Sequence, residues 1–181
     1  EEFLDRWRPA DAAYAQTWEE RFGFERYAPL IREVAAAALD SAGLAEADHV
    51  ILTCPNTAVT KRTATLVKGT STTGGSPLGF AGTVDPLLGL AAALDGAGPN
   101  ETILLICAVD GADAVVLHTT DALVGHRQRR TSDAAAATRE IAYPTYLSWR
   151  GLLDFEPPRR PEPDRPAGTP SARDVEWKCG L

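Results

Sequence analysis

The chain has 181 residues, of which 44% are apolar, so it is long enough to bury the core of one domain. Its 25 acidic and 18 basic side chains give a formal net charge of -7, which argues against the basic face that binding to nucleic acid or an anionic membrane requires. The longest strongly apolar run, at 103–109, is too short for a transmembrane helix. We therefore expect a soluble protein with no nucleic-acid and no membrane partner.

The cysteine content indicates a cellular compartment. Cys54, Cys107 and Cys179 are too far apart in sequence for a disulfide framework or a zinc knuckle, so we expect a cytoplasmic protein and assign no metal site. The chain also contains no Met, and it stops at Leu181 without a completed turn or helix end. We therefore expect it to be an internal fragment of a longer protein.

In the first third of the chain, the residue pattern predicts three helices and a strand. An aromatic-rich opening predicts a helix over 11–21. A second helix is expected to begin with Pro29 as its first residue and to end at Gly43, its C-terminal cap. The β-branched run at 49–53 predicts a buried strand, and a further helix is expected over 58–67.

The middle of the chain begins with a glycine-rich stretch. Its five glycines, spread over 69–82, predict an ordered loop. Asp85, as an N-cap residue before a proline, predicts the start of a tightly packed helix. The apolar runs at 102–109 and 114–119 flank the turn pair at 110–111, and this arrangement predicts a β-hairpin.

The composition changes after residue 120, and this change suggests the domain boundaries. We assign 1–126 to one domain, 127–170 to a connecting segment with a Pro/Arg-rich linker, and 171–181 to the start of another module. Six of the 13 prolines fall between 157 and 170, which is typical of an extended linker.

Several segments, in this order, resemble the C-terminal half of thiolase-superfamily enzymes in the branch of hydroxymethylglutaryl-CoA synthase and ketoacyl synthase III. They are FLDRWR at 3–8, WEERFG at 18–23, GFAG at 79–82 and DGAD at 110–113. Two later segments, YLSWRG at 146–151 and EPPRRP at 156–161, resemble the join to an appended OB-fold and zinc-ribbon module. The resemblance implies the α/β class, with one half of a thiolase-like αβαβα sandwich at 1–126, then a Pro-rich linker and the start of a truncated OB-fold module.

The resemblance also implies an activity. Enzymes of this branch are acyltransferases that form a C–C bond on acyl-CoA thioesters, with acyl-CoA as substrate and no other cofactor. A Cys in the first half of the fold takes up the acyl group, and that half is absent, so we expect this chain to be inactive by itself. The partners implied are acyl-CoA and a second copy in a homodimer, or an OB-fold protein in a thiolase-like complex.

The site residues follow from the same resemblance. The family's His-Gln-Pro-Asn turn falls on Thr53, Cys54, Pro55 and Asn56, so we assign Cys54 and Asn56 as catalytic candidates. Thr53 stands where the His is expected. The Gly-Asn-x-Gly turn falls on 79–82, and Phe80 stands where the Asn is expected. The residues assigned to substrate binding are Thr53, Gly79, Phe80 and Gly82.

Thr and Phe cannot donate hydrogen bonds as imidazole and amide groups do, so two alternatives to the C–C bond-forming acyltransferase stay open. One is a retro-aldolase that cleaves β-hydroxyacyl-CoA, and the other is a non-catalytic partner that binds acyl-CoA. Single residues also have simpler explanations: Cys54 can close a strand in the core, and Asn56 can cap the following helix. The glycine-rich stretch lacks the Lys of a phosphate-binding loop, so it is interpreted either as a pantetheine contact or as a structural crossover.

Overall fold

The structure, a computed structural model, describes residues 3–74, 79–126 and 139–153. It divides into two compact units, Glu1–Thr138 and Arg139–Leu181. The first unit combines helices with a mixed four-stranded sheet, which confirms the α/β class. Several sequence predictions lie outside the described residues: the linker at 157–170, the module at 171–181, and Cys179.

A two-stranded hairpin, rather than the predicted helix at 11–21, precedes the main helix. Strands β1 (Arg6–Trp7) and β2 (Gln16–Thr17) pair in antiparallel fashion. The rings of Trp7 and Trp18 meet edge to face with centroids 5.5 Å apart. The aromatic side chains therefore contact one another across the hairpin instead of lining one face of a helix.

Helix α1 (Glu20–Ser41) is longer than predicted, because it begins nine residues before Pro29. A proline inside a helix costs about 3 kcal/mol, but Tyr27 and Ile31 on the same helix are fully buried, and their burial offsets that cost. The helix ends at Ser41, and Gly43 lies two residues beyond it, where it takes part in the predicted C-terminal cap. This glycine has φ +69, and the amide of the next residue, Leu44, donates to the carbonyl of Leu39 at 2.9 Å, as in a Schellman motif.

The next part of the chain contains a strand that the sequence did not predict. Strand β3 (Ala47–Thr53) matches the prediction at 49–53, and two short helices, α2 (Thr57–Thr60) and α3 (Thr63–Leu66), replace the single helix expected at 58–67. Strand β4 (Gly69–Gly74) then pairs in parallel with β3, in a stretch predicted to be a loop.

Gly69 explains why this glycine-rich stretch can form a strand. A Cβ at this position would lie 2.6 Å from Cγ2 of Val50 and 3.0 Å from the carbonyl oxygen of Ala47. The glycine therefore lets β4 approach β3 closely at the start of the ladder. The prediction of a loop over 69–82 is wrong for 69–74, because pairing with β3 outweighs the low strand propensity of glycine.

The remaining elements of the first unit match their predictions more closely. A 3-10 turn (Gly82–Val84) leads into helix α4 (Asp85–Gly96). Strands β5 (Thr102–Cys107) and β6 (Asp113–His118) form the predicted antiparallel hairpin. A short helix, α5 (Ala122–His126), follows them.

The main sheet has the strand order β4-β3-β5-β6, and β5 lies parallel to β3. Side chains alternate between its two faces. On the face covered by α1, here called the α1 face, the apolar core forms around Val50, Leu52, Leu104 and Ile106. The opposite face, here called the α4 face, carries His49, Ile51 and Thr53. Helix α4 packs closely there, since a Cβ at Gly89 would lie 2.7 Å from Cγ2 of Ile51.

The second unit is described over 139–153 and contains helix α6 (Tyr143–Trp149). The rings of Tyr143 and Tyr146 stack with centroids 6.2 Å apart. Of the helices in the described ranges, none is both long and apolar enough to cross a membrane.

Candidate functional site

Thr53, the last residue of β3, forms a buried hydrogen bond with Asp85, the first residue of α4. The Thr53 hydroxyl donates to Oδ2 of Asp85 at 2.7 Å, and each residue is only 2% exposed. The carboxylate lies in the first turn of a helix, where the helix dipole favours negative charge. This contact joins the carboxyl end of a central strand to the start of the helix on the α4 face.

The turn at 79–82 is attached to the same carboxylate. The backbone N–H of Ala81 donates to Oδ1 of Asp85 at 3.0 Å. Gly79 has φ +82 and Gly82 has φ +66, so both adopt the left-handed conformation that glycine accommodates without strain. Phe80 lies between them and is 39% exposed. Two left-handed glycines and one hydrogen bond therefore define the turn that presents the Phe80 ring.

Cys54 lies on the opposite face of the sheet from Thr53. It is only 4% exposed, and burial raises the pKa of its thiol to about 12. The backbone N–H of Asn56 donates to its sulfur at 3.4 Å, which lowers the pKa but does not offset the desolvation. At neutral pH the Cys54 thiolate is therefore rare, and its thiol belongs to the apolar core around α1.

Asn56 acts as a helix cap. Its Oδ1 accepts hydrogen bonds from the N–H groups of Ala58 at 2.9 Å and Val59 at 3.3 Å, at the start of α2. Its Nδ2 donates to the carbonyl of Glu20 at 3.0 Å, which links α2 to the start of α1. The structure thus shows the capping role that the sequence left open, with a side chain that is only 7% exposed.

Two buried polar side chains close to Cys54, those of Asp5 and Tyr27, join the exposed Asp110 in hydrogen bonds that attach the N-terminal hairpin to the sheet. The Tyr27 hydroxyl hydrogen-bonds to the carboxylate of Asp5 and accepts from the N–H of Asp110 at 3.2 Å. The N–H of Asp5 donates to Oδ1 of Asp110 at 2.9 Å. Burial raises the pKa of Asp5, the Tyr27 hydroxyl lowers it, and the nearby Asp110 raises it further.

The structure therefore separates the predicted site residues into two groups. Thr53 and the turn at 79–82 come together through Asp85 on the α4 face, whereas Cys54 and Asn56 lie among the residues packed under α1. Sequence reasoning missed Asp85 as a site residue. Its position before a proline suggested only a helix cap, and the residue that precedes α4 is in fact Val84, whose side chain makes no capping hydrogen bond.

Two histidines lie on other parts of the main sheet. Nε2 of His49 lies 2.7 Å from Oε2 of Glu101, an oxygen that also accepts from the N–H of Gly98 at 2.7 Å. His118 ends β6 and lines a cavity of about 300 Å³ between α4 and the sheet. Among the described residues, no cluster of three or more His, Cys, Asp or Glu side chains could hold a metal ion.

No protein-family model matches the chain, and no curated protein is significantly similar to it.

Proposed function

We propose that this chain forms one wall of an acyl-thioester pocket in an acyltransferase-type enzyme that forms a C–C bond, as hydroxymethylglutaryl-CoA synthase and ketoacyl synthase III do. In this proposal the first unit corresponds to one half of a thiolase-like αβαβα sandwich. The observation that carries the proposal is the double hydrogen bonding of Asp85, which joins Thr53 to the turn at 79–82.

The resemblance places two separate segments, around Thr53 and at 79–82, beside the same thioester. They are 26 residues or more apart in sequence, and nothing in their local pattern requires them to meet. A single buried carboxylate nevertheless binds both, at the carboxyl end of a central parallel strand. In open α/β sheets, ligands bind outside the carboxyl ends of the strands, so this location supports a substrate pocket.

The side chains also suggest what this wall contributes. The Thr53 hydroxyl and the Ala81 N–H are both committed to Asp85, and Cys54 is buried with a raised pKa. We therefore assign to this chain the shaping of the pocket and the positioning of the substrate, and we place the acyl-accepting nucleophile outside the described residues. Phe80 provides an apolar contact at the position where the resemblance expects an amide.

A second candidate function is a non-catalytic partner that binds acyl-CoA. It is favoured because two polar side chains assigned to the site already have hydrogen-bond partners within the protein. Thr53 donates to Asp85, and Asn56 caps α2. An enzyme that cleaves β-hydroxyacyl-CoA by retro-aldol chemistry is the third possibility, and the experiment below separates all three.

The test is intact-mass spectrometry of the full-length protein after incubation with a panel of acyl-CoAs, together with detection of released CoA. A covalent acyl adduct with CoA release is the expected result. The matched variant is Asp85→Ala, which removes the acceptor shared by Thr53 and Ala81. The control is Asp121→Ala, on an exposed carboxylate whose hydrogen bond to Asn100 lies at the opposite end of the strands.

We expect Asp85→Ala to slow adduct formation and Asp121→Ala to leave it unchanged. Acyl-CoA binding without an adduct or turnover would instead identify the non-catalytic partner. Cleavage of a β-hydroxyacyl-CoA without an adduct would identify the retro-aldolase. If the protein binds none of these thioesters, the proposal is wrong in all three forms.

A further inference from the structure

We draw no further inference here: the strongest candidate, a cavity of about 250 Å³ on the α4 face that His49, Ser71 and Thr73 line together with the C-terminal end of α4, lies on the side of the sheet that the other half of the proposed sandwich would cover, and nothing in the structure shows what occupies it.

Discussion

The two faces of the main sheet are covered in different ways. On the α1 face, the 22-residue helix α1 buries Tyr27 and Ile31 completely against Leu52, Leu104 and Ile106. On the α4 face, the 12-residue helix α4 has one buried residue, Asp85, and leaves Leu87 63% exposed.

This difference separates the part of the structure that contributes most of the folding free energy from the part that holds the candidate site. A fully buried apolar layer contributes most of the favourable free energy of folding. The α4 face instead holds the Thr53–Asp85 hydrogen bond and the turn with Phe80, and Leu87 of α4 is exposed there. The α4 face therefore buries less apolar surface than the α1 face, and it is the face that contacts the thioester in the proposed function.

The largest expected difference between the faces is in thiol reactivity. Burial raises the pKa of Cys54 to about 12 from an ordinary 9.0, so its thiolate population at pH 8 falls about a thousandfold. Cys107, which pairs in register with Thr53, is only partly buried, although burial and the nearby Asp113 and Asp85 raise its pKa as well. We expect iodoacetamide to alkylate Cys107 well before Cys54 in the native protein.

Peptide mass spectrometry at timed intervals would measure the two alkylation rates. Unfolding in urea provides the control, because both thiols should then react at similar rates. Equal rates in the native protein would contradict the distinction between a closed α1 face and a more open α4 face.

A pair of leucine substitutions compares the packing of the faces directly. Leu52→Ala removes buried methyl groups from the α1 face and should lower the free energy of unfolding by about 2–5 kcal/mol. Leu87→Ala, on the exposed side of α4, should change it by about 0.5 kcal/mol or less. Urea unfolding followed by tryptophan fluorescence measures both. A large loss in Leu87→Ala would mean that other protein surface covers α4.

The carboxylate on the α4 face should contribute less than the core does. Asp85→Ala leaves the Thr53 hydroxyl and the Ala81 N–H without their acceptor, at a cost of about 1–3 kcal/mol. Asp85→Asn should cost less, because the amide oxygen still accepts one of the two hydrogen bonds. Thermal unfolding of both variants measures the difference, and equal losses would show that the charge matters more than the hydrogen bonds.

The smallest expected effect is a change of folding stability with pH, caused by Asp5 on the α1 side of the sheet. Burial raises its folded pKa above the usual 3.8, so its protonated form favours folding. The stability that it contributes is therefore present below pH 3.8 and is lost as the pH rises through the higher folded pKa. Asp5→Asn keeps an acceptor for Tyr27 and removes the buried charge, so it should stabilise the protein at pH 7.

Thermal unfolding of wild-type protein and Asp5→Asn at pH 3 and pH 7 checks this expectation. The gain in Asp5→Asn should disappear at pH 3, where the wild-type carboxyl is protonated. Arg6→Gln is a suitable control, because its guanidinium acts on Asp5 in the opposite direction and lowers the carboxyl pKa. The same gain at both pH values would mean that the charge of Asp5 is not its cause.

Local signals predicted several elements correctly. The turn pair at 110–111 between two apolar runs predicted the β5–β6 hairpin, and Asp85-Pro86 predicted the start of α4. The segment at 11–21 was predicted wrongly, because its aromatic side chains contact Trp7 across a hairpin rather than lining a helix. Strand β4 was missed because Gly69 and its neighbours have no apolar pattern and become a strand only through pairing with β3.

The candidate site was predictable only in part. The glycines at 79 and 82 were assigned correctly to a sharp turn, since both have positive φ. No sequence signal connected that turn to Thr53 through Asp85, because the contact joins elements that are distant in the chain. The raised pKa of Cys54 could not be predicted from the sequence either, because desolvation depends on the neighbouring residues that the fold places around the thiol.

The sequence by itself determined the α/β class, helix α4, the β5–β6 hairpin and the glycine turn at 79–82, because each depends on residues close together in the chain. Tertiary structure alone decided that Thr53 and Ala81 share one carboxylate, that Cys54 is buried, and that the α4 face stays partly exposed. These features depend on burial and on hydrogen bonds between distant residues, so they form only once the sheet has brought those residues together.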